Sequence, residues 1–427
     1  MKSDIIQALK DWNPWLDGGD FPQELLGFPR SYDLKKYLDI PEIKILEGGR
    51  RVGKSTLIYQ VIKIILAKSK NVLYINFDDE ILSQYSLKSI IDKYNEHAEV
   101  DYLFVDEVQR CSDWVPFIRK AYDQKQFKQI WLTGSNSALI SEEYATLLTG
   151  RKISIHIHPL SFKEYLHFQG VSSLTLPLST KSEISVKRHF KEYLHLGSFP
   201  AIALRSTLQR ELLISYFEDF IYKDIVARYE VKPTKLKDLA IYLATNSGKQ
   251  ISYRKVSAAL GLHPETVNDY IGYFKEIFMF DECYKFDFSL KSQLSYDKKI
   301  YSLDTGMSSA VSFKFSEDHG RQLENLVFNT LQRNHKEIYF HKKQKECDFL
   351  VKDNLDITQA IQVSVSLSDP DTKQREINGL CEAMQSYGLE KGLILTLDEE
   401  GSEEVVIQDR PCVIEILPVW KWLLSLL

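Results

Sequence analysis

Residues 43–67 read IKILEGGRRVGKSTLIYQVIKIILA. An apolar run, a glycine-bearing turn and a helix-forming stretch succeed one another. The turn, Gly48 to Ser55, matches G-x-x-x-x-G-K-[ST] in full and lies in the strand–loop–helix context that a phosphate loop requires. Gly48 and Gly53 let the backbone curl so that its N–H groups face phosphate oxygens, and the helix that follows adds the positive end of its dipole. Gly49, Arg50, Arg51, Val52 and Thr56 complete the binding segment. Lys54 is predicted to reach the β- and γ-phosphates, and the Ser55 hydroxyl to ligate Mg²⁺. The expected cofactors are ATP and Mg²⁺.

Moving outward, residues 101–110 read DYLFVDEVQR. Asp106 closes an apolar run and is predicted to hold the Mg²⁺ shell. Glu107 is predicted to polarise the attacking water, since hydrolysis needs a base within hydrogen-bond reach. Residues 129–136, QIWLTGSN, form another apolar run, ending in hydroxyls and an amide. Ser135 is the expected γ-phosphate or water contact, with Thr133 and Asn136 as neighbouring alternatives.

Between residues 43 and 170 the runs IKILEGG, NVLYINF, DYLFVDE and QIWLTGS alternate with amphipathic stretches. This pattern predicts buried strands of a doubly wound parallel sheet with helices on both faces. Residues 1–40 read as a helical lead-in. Residues 171–185 are rich in Ser and Thr and read as a loop or linker. Residues 186–280 carry helical periodicity, and EIYFH, CDFLV, AIQVSVS, GLILTL and PCVIEILPV read as strands of a separate α/β unit. The expected domains are 1–170, 186–310 and 311–427.

The set GGRRVGKST, FVDEVQRCSDW, LTGSN, LLTGR and HPLSFKEY, continuing into GSFPAI at 197–202, resembles the AAA+ ATPases of bacteria and archaea that carry a C-terminal domain of unknown function of the DUF4143 type. The resemblance spans nearly the whole chain. It implies that Arg151 of LLTGR acts as a sensor or finger arginine, in its own subunit or a neighbour's. Such a group would offset charge on the transferring phosphoryl. Arg30, upstream of the core, is expected to border the nucleotide.

Residues 251–276, ISYRKVSAALGLHPETVNDYIGYFKE, resemble a helix-turn-helix broken at Gly261, with EIFMFDECYKF and KKIYSLD as the wing of a winged helix. Asn268, Thr266 and His263 could touch base edges, but the second helix carries Glu265 and Asp269 and no cation before Lys275, so phosphate attraction is weak. The structural alternative is a packing or protein-contact module. Further on, Glu324 on a helix, Asp348 at a strand start and Gln362 on the next strand resemble the acids of the PD-(D/E)xK, restriction-endonuclease-like fold. The lysine position of that pattern reads Ser364, which opposes cleavage; Lys343, Lys345, Lys373 and Arg375 are candidates for a displaced cation.

Composition bounds the rest. The chain has 427 residues, 54 Lys+Arg against 59 Asp+Glu, and therefore no global basic field. Its five cysteines are scattered without a CxxC pair, which signals neither a zinc site nor a disulfide framework and fits a reducing cytoplasm. No run is long enough to span a bilayer, so no membrane partner is expected. The reading is an Mg-dependent, ATP-hydrolysing switch or motor acting on DNA or a DNA-associated protein, with homo-oligomerisation compatible. The alternatives are an ATP-controlled DNA nuclease and a nucleotide-holding scaffold without turnover.

Overall fold

The computed structural model describes residues 2–136, 147–171, 177–313, 319–335 and 337–426. Part of the expected linker, 172–176, lies outside them. The chain forms two compact units, 1–158 with 276–278, and 159–275 with 279–427.

The first unit is a five-stranded, wholly parallel sheet: β1 (Ile43–Glu47), β2 (Val72–Asn76), β3 (Tyr102–Asp106), β4 (Gln129–Gly134) and β5 (Lys152–His156), in the order β2-β3-β4-β1-β5. The four expected strands are present. β5 joins them at the far edge because KISIH, short and half-polar, pairs with β1 from Ile43↔Lys152 to Glu47↔His156. Near-continuous burial of β1, β2 and β4 fits strands covered on both faces. One face buries Ile43, Ile45, Ile75, Val105 and Leu132 against helices Leu87–Asn95 and Trp114–Asp123 and the lead-in helix Lys2–Trp12.

The lead-in also serves an exposed edge. Asn13, fully buried, donates to the Tyr74 carbonyl at 2.7 Å and accepts from the Tyr74 N–H at 2.7 Å, while the Trp15 indole donates to the Val72 carbonyl at 3.0 Å. The free edge of β2 is thereby satisfied rather than left as a pairing template.

The second unit is α/β with a mixed nine-stranded sheet. Its strands are β6 (Gln250–Ile251), β7 (Phe280–Lys285), β8 (Lys298–Ser302), β9 (Glu337–Lys342), β10 (Glu346–Asp353), β11 (Asp356–Val363), β12 (Lys391–Thr396), β13 (Gly401–Ile407) and β14 (Arg410–Pro418). Their order is β13-β14-β12-β11-β10-β9-β7-β8-β6. Two helices, Tyr253–Leu260 and Pro264–Glu276, meet around Gly261 in the left-handed region, and the β7–β8 hairpin follows. Parallel pairing of β7 with β9 carries the hairpin into the larger sheet, so residue 310 falls inside one unit. Gly197 of the GSFPAI stretch lies against Asp304, whose carboxylate accepts from the Ser198 N–H at 2.6 Å and hydroxyl at 2.8 Å. That stretch is thus a structural clasp. No described helix is long and apolar enough to cross a membrane.

Candidate functional site

The loop 48–53 emerges from the carboxyl end of β1 and opens the helix Lys54–Leu66. Gly48 has φ +149°, and a Cβ there would meet the Ile157 carbonyl at 2.2 Å. Gly53 has φ +97° and Arg51 φ +68°, so the chain turns through left-handed conformations on both sides of buried Val52. Lys54 is buried, and its ammonium donates to the carbonyls of Gly48 at 2.9 Å and Gly49 at 3.0 Å. Arg30 bridges the loop to β5's exit, donating to the carbonyls of Val52 at 2.8 Å and His158 at 2.9 Å. Arg30 therefore holds the loop itself. Thr56 lies against Gly27 of the lead-in.

Next to the loop, the end of β3 brings in both acids. Asp106 is buried and accepts from the Tyr74 hydroxyl at 2.7 Å, from Thr133 and from Ser55. Burial and the neighbouring Glu107 charge raise its proton affinity despite those bonds. Glu107 has φ +51°, which turns its side chain off the strand line. Its N–H donates to Thr133 Oγ1 at 3.1 Å. Its Oε2 accepts from Ser135 Oγ at 3.0 Å and from Gln109 Nε2 at 2.5 Å. Burial would raise the Glu107 pKa, but the charges of Lys54 and Arg50 and these two bonds outweigh it and hold the carboxyl below its ordinary range. Thr133 thus supports the two acids, and Ser135 orients the second. Gln109 was missed by sequence reasoning; its place two residues beyond Glu107, on the turn leaving β3, was the available signal.

Arg151 is not in this cluster. Its carbonyl accepts from the Ile43 N–H at 2.8 Å, which puts it at the amino end of β1, whereas the phosphate loop leaves the carboxyl end. Five strand residues lie between, about 16 Å at 3.3 Å per residue. Its guanidinium pairs with Asp123 at 2.8 Å. The expected role as a sensor within its own subunit is corrected on these grounds: the sheet separates the two ends.

In the second unit Glu324, Asp348 and Gln362 do converge. Asp348 Oδ2 accepts from the Val363 N–H at 3.0 Å, and Gln362 Oε1 accepts from the Asp348 N–H at 3.1 Å. Ser364 does not join them; its hydroxyl donates to the Ser366 carbonyl. Of the expected displaced cations, Lys343 donates to Ser386 and Lys373 pairs with Glu403, whereas Arg375 borders the cluster through Glu376, whose other oxygen accepts from Gln362 Nε2. The cation at the centre is Lys299 of β8, 2.9 Å from Glu324, 2.9 Å from Asp348 and 3.0 Å from Glu346. Its distance in sequence from the other members hid it. Among the described residues no group of His, Cys, Asp and Glu is arranged to hold a metal ion.

On the helix Pro264–Glu276, Glu265, Asn268 and Asp269 are exposed. Lys275 is bound to Glu282 at 2.6 Å.

Sheet order, phosphate loop and paired acids give the first unit a P-loop NTPase fold. Residues 41–166 match the AAA domain family, and residues 187–318 match a domain of unknown function, DUF8612, where the resemblance had pointed to DUF4143. An uncharacterised protein of Methanocaldococcus jannaschii is 32% identical over 410 residues, covering 90% of this chain and 88% of that protein. The chain belongs to the same family as that protein. An uncharacterised protein of Haemophilus influenzae is 29% identical over 411 residues, covering 92% of this chain and 96% of that protein. Among solved structures, a Thermotoga maritima RuvB is similar over 60% of this chain and 93% of that chain, with 15% identity and a TM-score of 0.33.

Proposed function

We propose that the chain is an Mg-dependent ATPase that uses turnover as a conformational switch. The observation that carries this reading is the Glu107 carboxylate, held by Ser135 and Gln109 and kept ionised by Lys54 and Arg50. A scaffold that only holds nucleotide has no use for a positioned, deprotonated base.

The residues suit the cofactor. Ser55 and Asp106 are hydrogen-bonded oxygen donors, the type Mg²⁺ takes. A buried carboxylate whose proton affinity is raised gains most from a cation beside it. Mg²⁺ would supply charge neutralisation at the phosphates. The backbone of Gly48–Gly53 cradles the β-phosphate, and Lys54 exchanges its carbonyl partners for phosphate oxygens. Glu107 accepts the proton of the attacking water, while Ser135 and Gln109 fix the carboxylate's direction. Arg151, if it meets a nucleotide, meets that of a neighbouring subunit.

The client is DNA or a DNA-associated protein. Exposed Glu265 and Asp269, with Lys275 engaged by Glu282, favour the protein. The testing experiment is single-turnover ATP cleavage by wild type and Glu107→Gln, with nucleotide binding measured alongside. Binding kept and cleavage lost supports the reading; equal cleavage overturns it.

A further inference from the structure

We infer that Lys299 is a built-in counter-ion that occupies the cation position of the carboxylate centre formed by Glu324, Glu346 and Asp348, closing that centre to divalent metal ions. The inference is independent of the ATPase reading.

An ammonium has three N–H donors and no acceptor. Here each finds a different carboxylate, Glu324 Oε1 at 2.9 Å, Asp348 Oδ1 at 2.9 Å and Glu346 Oε1 at 3.0 Å, so the group is saturated. The Lys299 side chain is 3% exposed. A buried lysine ordinarily sheds its proton, yet these acids hold this one well above its usual range against the desolvation cost. The acids come from one helix and one strand and would repel one another without a cation between them.

The three carboxylates carry further bonds. Asp348 Oδ2 takes the Val363 N–H, Glu324 Oε1 also takes the Tyr301 hydroxyl at 2.6 Å, and Glu346 pairs with Lys342 at 3.0 Å. Magnesium and its congeners need oxygen ligands at roughly 2.0–2.6 Å. The ammonium stands where such an ion would have to gather the same three carboxylates.

Lys299 is anchored at its backbone. It lies within β8, opposite Cys283 of β7, and β7 is paired in turn with β9. The pairing fixes its backbone, and burial with the three ion pairs holds the ammonium at the centre. The same contact ties the hairpin behind the helix-turn-helix pair to β10 and the helix His319–Asn334.

The test is Mn²⁺ titration, followed by electron paramagnetic resonance, of the full chain carrying Asp106→Asn to silence the phosphate-loop metal position. With Lys299 present, no Mn²⁺ binding that depends on Asp348 is expected. Adding Lys299→Met should create one site per chain, at least about tenfold tighter than background, and Asp348→Asn should abolish it. Lys299→Gln serves if the methionine variant does not fold. The inference is overturned if Mn²⁺ binds with Lys299 in place and is lost on Asp348→Asn, or if a folded Lys299 variant gains no site. Mn²⁺-dependent cleavage of supercoiled DNA by the Lys299-bearing chain, lost on Asp348→Asn, would likewise overturn it.

Discussion

Ser135 Oγ donates to Glu107 Oε2 at 3.0 Å, joining the end of β4 to the acid that follows β3. Under the proposed ATPase reading, the contact makes Ser135 a positioning residue for Glu107. Removing the base itself by Glu107→Gln should lower kcat by about 10²–10⁴. Ser135→Ala removes one hydrogen bond of about 0.5–1.5 kcal/mol, and should lower kcat by about tenfold or less with KM for ATP little changed. Steady-state kinetics of both variants check this ordering; a Ser135→Ala effect confined to KM would mean that Ser135 binds nucleotide instead.

Arg30 should act on affinity. It donates to Val52 of the loop and His158 beyond β5, and touches no catalytic acid through these bonds. Arg30→Ala releases the loop from its neighbour and should weaken nucleotide binding about tenfold, the scale of a charge-assisted hydrogen bond. Calorimetry with a non-hydrolysable ATP analogue measures it. An unchanged Kd with depressed kcat would contradict the assignment.

Arg151→Ala should leave turnover unchanged in dilute, monomeric protein. Its ion pair with Asp123 is solvent-screened, so Tm should also hardly move. A loss of turnover that appears only as protein concentration rises would show that Arg151 reaches a neighbour's nucleotide.

Glu324 gives the second unit a pH dependence with a definite sign. Burial lifts its pKa from 4.5 to about 7, against the pull of Lys299. Between those values the folded chain holds a proton that the unfolded chain has lost. Stability from this group is therefore present at the acid end of the window and declines as pH rises through it, by up to about 1.4 kcal/mol per pH unit for one proton. Glu324→Gln should flatten that slope in urea unfolding followed across the window. An unchanged slope would assign the titration elsewhere.

The site's legibility in sequence followed its locality. Lys54, Ser55, Asp106 and Glu107 stand in contiguous motifs whose strand–loop–helix frame is itself written in apolar runs. The position of Arg151 could not be read that way, because it depends on the register Ile43↔Lys152 between strands far apart in the chain. Lys299 was hidden for the same reason: β8 reaches Glu324 and Asp348 only through tertiary pairing. β5 and β13 were missed because KISIH is only partly buried and GSEEVVI forms the exposed rim of its sheet.

The most direct measurement is ATP turnover by wild type and Lys54→Ala, each alone and with duplex, forked and single-stranded DNA. Turnover in wild type that Lys54→Ala abolishes is the expected result, and a change on adding DNA would identify DNA as the client rather than a bound protein. Wild type without turnover under every condition, or turnover that survives Lys54→Ala, would contradict the assignment of an ATPase centre at residues 48–56.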